Sequence, residues 1–339
     1  MADEIRWGII GTGKIARAFA TALKDTPGAV LTAVGSRRMD SALAFGADFA
    51  LPDRACFGSY EEIANAMDVD IVYIGTPHPM HAENAIMALN GGKAVLCEKP
   101  FTMNRREAEQ VVALARSKKL FLMEAMWTRY LPAVDEVRRI IASGEIGKPR
   151  QVSADFGFTA EVDNDHRLLN PELGGGALLD LGIYPLSIAA YLLGPVASVQ
   201  AQAEIGATGV DVQTGFVLKH EGGGMSVCSC SIQARTPAEL TVSGGLGHVR
   251  MNTMFHRAPS ISVSLADGTS RTVPTPYAGN GYAYEAVEAG RCLKEGLLES
   301  PRMPLDETLA LMGVLDTIRE QIGVRYAADA ARWADGADI

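Results

Sequence analysis

Cysteine is scarce in this sequence, and none of its five cysteines belongs to a Cys-x-x-Cys pair. An odd number of thiols in a chain of 339 residues argues against a disulfide framework and favours the reduced cysteines of a cytoplasmic protein. Cys228 and Cys230 are two residues apart in a predicted strand and therefore point to one face. We interpret them as small buried side chains, with a vicinal redox pair as the alternative.

An excess of basic residues is also missing, because 31 Lys and Arg stand against 40 Asp and Glu, for a formal net charge of −9. This balance argues against the basic face of a nucleic-acid-binding protein. No run approaches the roughly 18 apolar residues of a membrane span, and the N-terminal residues lack the basic and apolar regions of a signal peptide. The sequence therefore predicts a cytoplasmic globular protein with neither a nucleic-acid nor a membrane partner.

The first third of the chain alternates short apolar strands with helical patterns. The strands mostly lack period-two polarity, as strands buried on both faces do. Apolar residues three or four apart, such as Ile15, Phe19 and Leu23, are typical of the helices between them. This alternation predicts an α/β domain with a doubly wound parallel sheet over residues 1–124. The predicted strands are residues 5–10, 30–35, 70–75, 93–98 and 120–123.

After residue 124 the pattern changes to strands joined by glycine-rich turns. One predicted helix, residues 176–193, interrupts the strands, and two more, residues 282–295 and 306–322, follow them. Residues 125–339 are therefore predicted to form an α+β domain with a large, mainly antiparallel open sheet. Its predicted strands are residues 151–158, 198–203, 210–219, 225–233, 238–243, 248–252 and 260–265.

A glycine-rich turn directly follows the first predicted strand. Residues 11–16 have the Gly-x-Gly-x-x-Gly/Ala form of the dinucleotide fingerprint. Gly11 makes the tight turn, Gly13 lets the backbone approach a pyrophosphate, and Ala16 is small enough for the helix to pack on the strand. The helix N-terminus presents N–H groups to the anion. Because the motif lies in the required strand–turn–helix context, we interpret it as a phosphate-binding turn, with a plain turn as the alternative.

The end of the second predicted strand bears on which nucleotide binds. A cofactor with a free ribose 2′-OH usually meets Asp or Glu there, but this chain has Ser36, Arg37 and Arg38. A guanidinium group can hold a 2′-phosphate through two parallel hydrogen bonds. The sequence therefore favours NADP over NAD. A solvated basic turn is the alternative, and the nearby Asp40 keeps NAD open.

Two more strand ends are candidates for chemistry, because open α/β sheets bind ligands at the carboxyl ends of their strands. One strand is followed by Thr76-Pro77 and by two histidines, His78 and His81, and the next ends in Glu98-Lys99-Pro100. The two histidines have no third ligand at a usual spacing, so we expect no zinc site. A lysine at a strand end is often only solvated, which is the alternative for Lys99.

The second domain offers a carboxylate and a phenol on one predicted helix. Asp180 and Tyr184 are four residues apart and therefore share a face. Their neighbours are mostly apolar, which predicts a buried helix on which both polar groups need partners. The alternative is a satisfied core tyrosine beside a capping aspartate.

Taken in order, these motifs resemble the glucose–fructose oxidoreductase/inositol dehydrogenase/rhizopine catabolism (Gfo/Idh/MocA) family over essentially the whole chain. Tyr184 stands where inositol dehydrogenases carry His, so the chain looks most like the branch of dimeric dihydrodiol dehydrogenase and NADP-dependent xylose dehydrogenase. The resemblance implies an N-terminal Rossmann domain that binds NADP. The cofactor-binding residues that it implies are Gly11, Thr12, Gly13, Lys14, Ile15, Ser36, Arg37, Arg38, Thr76, Pro77, His78, His81, Glu98 and Lys99.

The resemblance also implies a reaction. Lys99 and Tyr184 would flank a hydroxyl of a sugar, polyol or diol, Tyr184 would take its proton while hydride moves to the nicotinamide, and Asp180 would set the geometry. A phenol has an ordinary pKa of about 10, so its anion needs stabilising at neutral pH, which the Lys99 ammonium would do. The Lys99–Pro100 bond is expected to be cis. Residues predicted to line the substrate pocket are Trp127, Arg129, Phe158, Arg167 and Tyr184.

Family habit implies a homodimer or homotetramer through the open face of the second domain's sheet. Two other functions stay open at this point. One is a regulatory sensor that binds the nucleotide without turnover, against which the joint presence of Lys99, Asp180 and Tyr184 argues. The other is a glycosidase that uses the nucleotide transiently. The sequence also leaves open which sugar or diol reacts and in which direction.

Overall fold

The computed structural model describes residues 4–330, which form two compact units. The first unit combines Met1–Trp127 with Ala278–Leu309, and the second combines Thr128–Tyr277 with Ala310–Ile339. The predicted division at residue 124 lies close to the first boundary. The structure differs from the prediction in that residues 278–309 belong to the first unit. The outermost residues of the two predicted domains, 1–3 and 331–339, lie outside the described part of the chain.

The first unit contains a parallel sheet of six strands in the order β3-β2-β1-β4-β5-β6. Its central strands are buried on both faces, which explains their continuous apolar sequences. The predicted doubly wound parallel sheet is therefore confirmed. The two-residue strand β3 was not predicted, because it is too short to show a pattern. The strands are β1 Ile5–Ile10, β2 Ala29–Gly35, β3 Cys56–Phe57, β4 Ile71–Ile74, β5 Ala94–Glu98 and β6 Leu122–Ala125.

Helices cross between these strands, and local sequence signals mark where they begin. Ser59 and Glu62 form a capping box at the start of the third helix, and Asn104 accepts a hydrogen bond from the main-chain N–H of Glu107 at the start of the fifth. Such caps satisfy N–H groups that have no partner within the helix. The helices are α1 Lys14–Lys24, α2 Met39–Asp48, α3 Tyr60–Ala64, α4 His81–Asn90 and α5 Arg105–Lys118.

The second unit contains a mixed sheet of eight strands in the order β14-β13-β12-β11-β7-β10-β9-β8. Only β7 and β10 pair in parallel among these strands, so the predicted, mainly antiparallel sheet is confirmed. Along β10, Cys228 and Cys230 are free and buried on one face, as the sequence predicts. The strands are β7 Pro149–Gly157, β8 Val196–Ile205, β9 Asp211–His220, β10 Met225–Ser231, β11 Leu240–Gly244, β12 Gly247–Met251, β13 Ser260–Leu265 and β14 Ser270–Pro274.

Two helices of the second unit precede most of its sheet in the chain. Helix α6 covers Pro132–Ala142, and helix α7 covers Ile183–Leu193 and packs on β7. Helix α7 continues a π-helical turn, Leu178–Gly182. The stretch Pro171–Leu193 is long and apolar enough to cross a membrane, but 89% of its apolar window is buried inside the fold. Because burial within a protein accounts for that composition, we interpret it as a core helix.

The last two helices explain the unit boundaries. Helix α8, Ala283–Lys294, belongs to the first unit, where the amide of Asn280 just before it donates to the carbonyl of Ala18 at 2.8 Å. Gly290 of α8 comes so close to β1 that an added Cβ would lie 3.2 Å from Ile5. Helix α9, Leu305–Ile322, begins in the first unit and ends in the second. Sequence periodicity predicts both helices but not the unit against which each one packs.

Candidate active site

The turn between β1 and α1 has the geometry that the glycine fingerprint predicts. Gly11 has φ +102°, and a Cβ on it would lie 2.9 Å from the carbonyl oxygen of Gly75, so only glycine fits there. A Cβ on Gly13 would meet nothing within 4 Å. Helix α1 begins after Gly13 with no side-chain cap and no acidic residue in its first turn. Its first N–H groups and the positive end of its dipole therefore suit a phosphate.

A cavity of about 430 Å³ adjoins this turn within the first unit. It brings the glycine turn together with the end of β2 and the end of β4, which are far apart in the sequence. Two of its residues, Arg37 and Arg38, are exposed cations, which suits the extra phosphate of NADP. The lining residues are Gly11, Thr12, Gly13, Ser36, Arg37, Arg38, Ser41, Tyr60, Gly75, Thr76 and Pro77.

Tyr60 is a member of this cavity that the sequence analysis missed. Burial raises the pKa of Tyr60, and the charge of Arg37, together with a hydrogen bond to it, opposes that rise. The tyrosine therefore stays neutral and orients one of the two arginines predicted to bind the 2′-phosphate. The signal in the sequence is weak, since Tyr60 is an ordinary first residue of helix α3.

His81 joins two strand ends in the first unit. Its ring is fully buried, and its Nδ1 and Nε2 each lie 2.9 Å from a carbonyl oxygen, of Pro100 and Thr76 respectively. Burial lowers the pKa of His81, which the two carbonyl contacts oppose. The ring therefore fixes the loops after β4 and β5 to each other. The half-buried His78 has its ring 5.7 Å from that of His81.

Glu98 at the end of β5 turns its carboxylate inward. It accepts a hydrogen bond of 2.5 Å from the hydroxyl of Tyr73 and one of 3.2 Å from the main-chain N–H of Lys99. Glu98 is only 5% exposed, so these contacts place it beneath Lys99, with little of it accessible to a cofactor. The Lys99–Pro100 peptide bond is cis, as the resemblance implies.

In the second unit, Asp180 lies in the π-helical turn before α7. Such turns are rare and are frequent at functional sites. Its carboxylate lies 3.3 Å from the guanidinium of Arg167, whose side chain is largely exposed. The structure thus brings together two predicted site residues, Asp180 and Arg167.

Tyr184 lies one helical turn after Asp180, among aromatic rings. The ring of Phe156 meets it edge to face at 5.4 Å, and the ring of His256 lies 5.8 Å away. Phe156 and His256 are themselves stacked, with 4.4 Å between their centroids. The sequence analysis missed both residues. Phe156 lies two residues before the predicted Phe158 in the same predicted strand, so the sequence carries a signal for it. His256 lies in a short 3₁₀ helix, Phe255–Arg257, and the sequence carries no comparable signal there.

The three other residues predicted to line the substrate pocket lie in different surroundings. Trp127 is buried in the first unit with its ring 4.5 Å from that of Tyr282. Phe158 is half-buried and packs on the cluster that includes Leu181. The side chain of Arg129 is fully buried, donates to Ser187 at 2.9 Å and lies over the ring of Tyr191. These contacts tie the Arg129 guanidinium to α7, and its place in a substrate pocket stays a prediction.

Residues 5–126 match the family described as oxidoreductase, NAD-binding Rossmann fold (GFO_IDH_MocA), and residues 134–250 match the GFO/IDH/MocA C-terminal domain. A trans-1,2-dihydrobenzene-1,2-diol dehydrogenase of Danio rerio is 36% identical over 335 residues, which cover 96% of this chain and 99% of that protein. The chain belongs to the GFO/IDH/MocA oxidoreductase family. The family resemblance predicted from the sequence motifs is therefore confirmed.

Two further proteins are similar to this chain over nearly its whole length. The D-xylose 1-dehydrogenase (NADP(+)) of Hypocrea jecorina is 34% identical, over 95% of this chain and 93% of that protein. The crystal structure of an aldose–aldose oxidoreductase from Caulobacter crescentus, complexed with glycerol, has a TM-score of 0.86 at 26% identity and covers 94% of this chain and 97% of that one. Both the Rossmann unit and the unit with the large sheet are thus present in known family members.

A metal centre finds no support among the described residues. No group of three His, Cys, Asp or Glu side chains in residues 4–330 is placed to hold a metal ion. The two ring nitrogens of His81 face carbonyl oxygens instead. In this GFO/IDH/MocA protein the candidate groups are the cavity at the glycine turn and Lys99 in one unit, and Asp180 and Tyr184 in the other.

Proposed function

We propose that this protein is an NADP(H)-dependent oxidoreductase that transfers a hydride between the nicotinamide and a CH–OH carbon of a sugar, anhydro sugar or trans-dihydrodiol. The observation that carries the proposal is the cavity in which the open, uncapped Gly11–Gly13 turn meets Arg37 and Arg38. An uncapped helix N-terminus binds the pyrophosphate and a pair of guanidiniums binds the 2′-phosphate. Thr12 lies in the turn, Lys14 and Ile15 begin α1, and Thr76, Pro77 and His78 follow β4 at the same edge of the sheet.

Three side chains provide the acid–base chemistry in this proposal. When bound, the cofactor supplies the carbon that accepts or returns the hydride. Tyr184 takes the proton of the substrate hydroxyl in oxidation and returns it in reduction. The Lys99 ammonium stabilises the negative oxygen that develops, and Asp180, held by Arg167, orients the polar groups around Tyr184.

The relatives support this substrate class, since their names record oxidation of a dihydrodiol and of an aldose. The side chains that we assign to substrate contact are Trp127, Phe158, Arg167 and Tyr184. Aromatic faces suit the C–H surfaces of a sugar or a ring diol, and Arg167 is exposed enough to bind a hydroxyl. Trp127 has the ring of Tyr282 beside it, which extends the aromatic surface.

We further propose a cytoplasmic homodimer or homotetramer. Met225 and Val227 alternate with buried residues along β10 and are 52% and 46% exposed. Two large apolar side chains on the open face of a sheet favour a second copy as the occupant, because oligomers of one chain bury such faces against each other. The buried, free cysteines are consistent with a reducing compartment.

The test is an assay of NADPH formation with a panel of aldoses, anhydro sugars and trans-dihydrodiols, using NADP⁺ and NAD⁺ in parallel. We expect net NADPH with at least one class of substrate and a higher kcat/KM with NADP⁺ than with NAD⁺. Tight NADP⁺ binding without turnover would indicate a sensor instead. Release of sugar from a glycoside without net NADPH would indicate a glycosidase. Either of these outcomes overturns the proposal.

A further inference from the structure

A carboxylic acid that the proposed reaction does not use is buried in the first unit. Glu285 of α8 is fully buried, and neither of its carboxyl oxygens has a hydrogen-bond partner within residues 4–330. A buried carboxylate without partners is far less stable than the neutral acid, which loses less hydration on burial. A side chain of this kind is rare in a core. The residues around Glu285 therefore need to be considered to explain why an acid is buried at this position.

The titratable groups that interact with Glu285 lie on two strands, β4 and β5. Glu98 of β5 is the charged neighbour, and together with burial it raises the pKa of Glu285 well above its usual range. Tyr73 of β4 also interacts with Glu285, and with Tyr282, the residue just before α8. The ring of Phe19 from α1 stacks on Tyr73 at 3.8 Å and encloses it. Glu285 therefore lies in an apolar, acidic environment.

The carboxylate of Glu98 is a hydrogen-bond acceptor in this cluster. It accepts from the Tyr73 hydroxyl and from the main-chain N–H of Lys99. Burial, followed by the charge of Glu98, raises the pKa of Tyr73 well above 10, so its hydroxyl keeps its proton and continues to donate. A carboxylate accepts both hydrogen bonds, but a protonated Glu98 has less acceptor capacity. The turn that carries Lys99 is therefore held by Glu98 in its ionised form.

Two ionised carboxylates buried in one cluster repel each other, and interacting pairs of this kind share one proton. If Glu285 loses its proton to solvent, the second negative charge favours protonation or displacement of Glu98. Either change weakens the contact with the N–H of Lys99. The neutral state of Glu285 is what leaves Glu98 charged.

We infer that Glu98 and Glu285 form a buried acid pair that holds a single negative charge and positions Lys99, with Glu285 as the neutral member. The inference rests on the proposed function for the role of Lys99, and Glu285 is a positioning residue that touches neither substrate nor cofactor. The pair limits activity at alkaline pH, because ionisation of Glu285 disturbs the turn at Lys99.

Infrared spectroscopy tests the protonation state without an assay. At pH 8 the parent protein should show the carbonyl stretch of a protonated carboxylic acid. Glu285→Gln should lose that band and Glu285→Asp should shift it. Glu295→Gln, a surface variant just after the same helix, should leave it unchanged. A band that survives intact in Glu285→Gln, or no band in the parent, overturns the inference.

The pH dependence of kcat/KM tests the positioning role. Glu285→Gln cannot ionise, so its alkaline limb should lie at higher pH than that of the parent and of Glu295→Gln. One unit above the pKa of the parent's limb, activity should have fallen about tenfold in the parent and clearly less in the variant. Superimposable profiles would show a purely structural role and overturn the inference.

The two failures can be told apart. If the parent reduces NADP⁺ with no member of the panel, the proposed function fails, while the infrared band still reports on the acid pair. If Glu285→Gln does not fold, Glu285→Asp replaces it in the test. A shifted band in Glu285→Asp supports the inference, and an unshifted band overturns it.

Discussion

The carboxylate of Asp211 accepts a hydrogen bond from the main-chain N–H of Leu178, with 2.7 Å between the two atoms. It also accepts from the hydroxyl of Thr214 at 2.7 Å, and it lies so close to Gly176 that a Cβ there would come within 2.5 Å of it. Asp211 therefore caps the π-helical turn that carries Asp180, two residues after Leu178. The geometry of the proposed acid–base residues in the second unit depends on this contact.

Replacing Asp211 with Ala should lower both stability and turnover. The loss of a buried cap leaves a main-chain N–H without a partner, so we expect the free energy of unfolding to fall by about 1–3 kcal/mol. The KM for NADP⁺ should change less than kcat, because the cofactor residues are in the other unit. Urea unfolding and steady-state kinetics measure the two effects. Asp211→Asn, which keeps an acceptor oxygen, should lose less, and equal losses in both variants would contradict a capping role.

Replacing Tyr184 with Phe should remove the proposed acid–base group and keep the aromatic packing on Phe156. We expect kcat to fall by about 10²–10⁴-fold with little change in unfolding temperature. Tyr191→Phe, on the same helix, is the matched control, since the Tyr191 hydroxyl accepts a hydrogen bond from Arg138, away from the proposed acid–base residues. Full activity in Tyr184→Phe would exclude the assignment of this phenol.

Replacing Arg37 and Arg38 with Ala should weaken binding of NADP⁺ selectively. Each charge-assisted hydrogen bond is worth about 1.5–3 kcal/mol, so the Kd for NADP⁺ should rise by roughly 10–100-fold per guanidinium lost. The Kd for NAD⁺ should stay within a few-fold of the parent value. Nucleotide titration by fluorescence or calorimetry measures both constants. Arg105→Ala, whose side chain pairs with Glu109 on the surface of α5, is the control, and parallel losses for the two nucleotides would speak against a 2′-phosphate site.

Replacing Glu285 with Gln should stabilise the protein as pH rises. The pKa of this buried acid is raised in the folded state, so the folded protein binds the proton more tightly than the unfolded chain. Glu285 therefore does not lower the parent's free energy of unfolding below the ordinary carboxyl pKa. Above it, the free energy of unfolding falls as pH rises toward the folded-state pKa of Glu285. The advantage of the variant should grow by up to about 1.4 kcal/mol per pH unit over that window. Urea unfolding from pH 4 to 8 measures it, and a constant difference would contradict the shift.

Replacing Val227 with Lys should weaken self-association. A lysine ammonium buried between two copies of β10 would be desolvated without a partner, so we expect a smaller mass in solution by sedimentation or light scattering. Met67→Lys, which changes a side chain that is 89% exposed in the first unit, should leave the mass unchanged. If the parent chain is a monomer at all concentrations tested, the proposed interface is wrong.

The local sequence determined the order and type of most elements and the phosphate-binding turn. Buried parallel strands have continuous apolar sequences, so β1, β2, β4 and β5 are predicted to within a residue or two. Gly11 is predicted for a similar reason, because a positive φ and a close carbonyl exclude every other residue. Both features depend on residues that are close in the sequence or on the burial of one face of an element. The spacing of residue types along the sequence therefore indicates them.

Only the tertiary structure decided which distant groups meet. The sequence does not show that α8 returns to the first unit and places Glu285 beside Glu98, or that His256 stacks on Phe156 near Tyr184. The sequence predicts Arg129 as a pocket residue, and only the structure shows that its guanidinium contacts Ser187 and Tyr191. Periodicity indicates which face of an element is buried, but the partner on that face depends on how the whole chain folds back on itself.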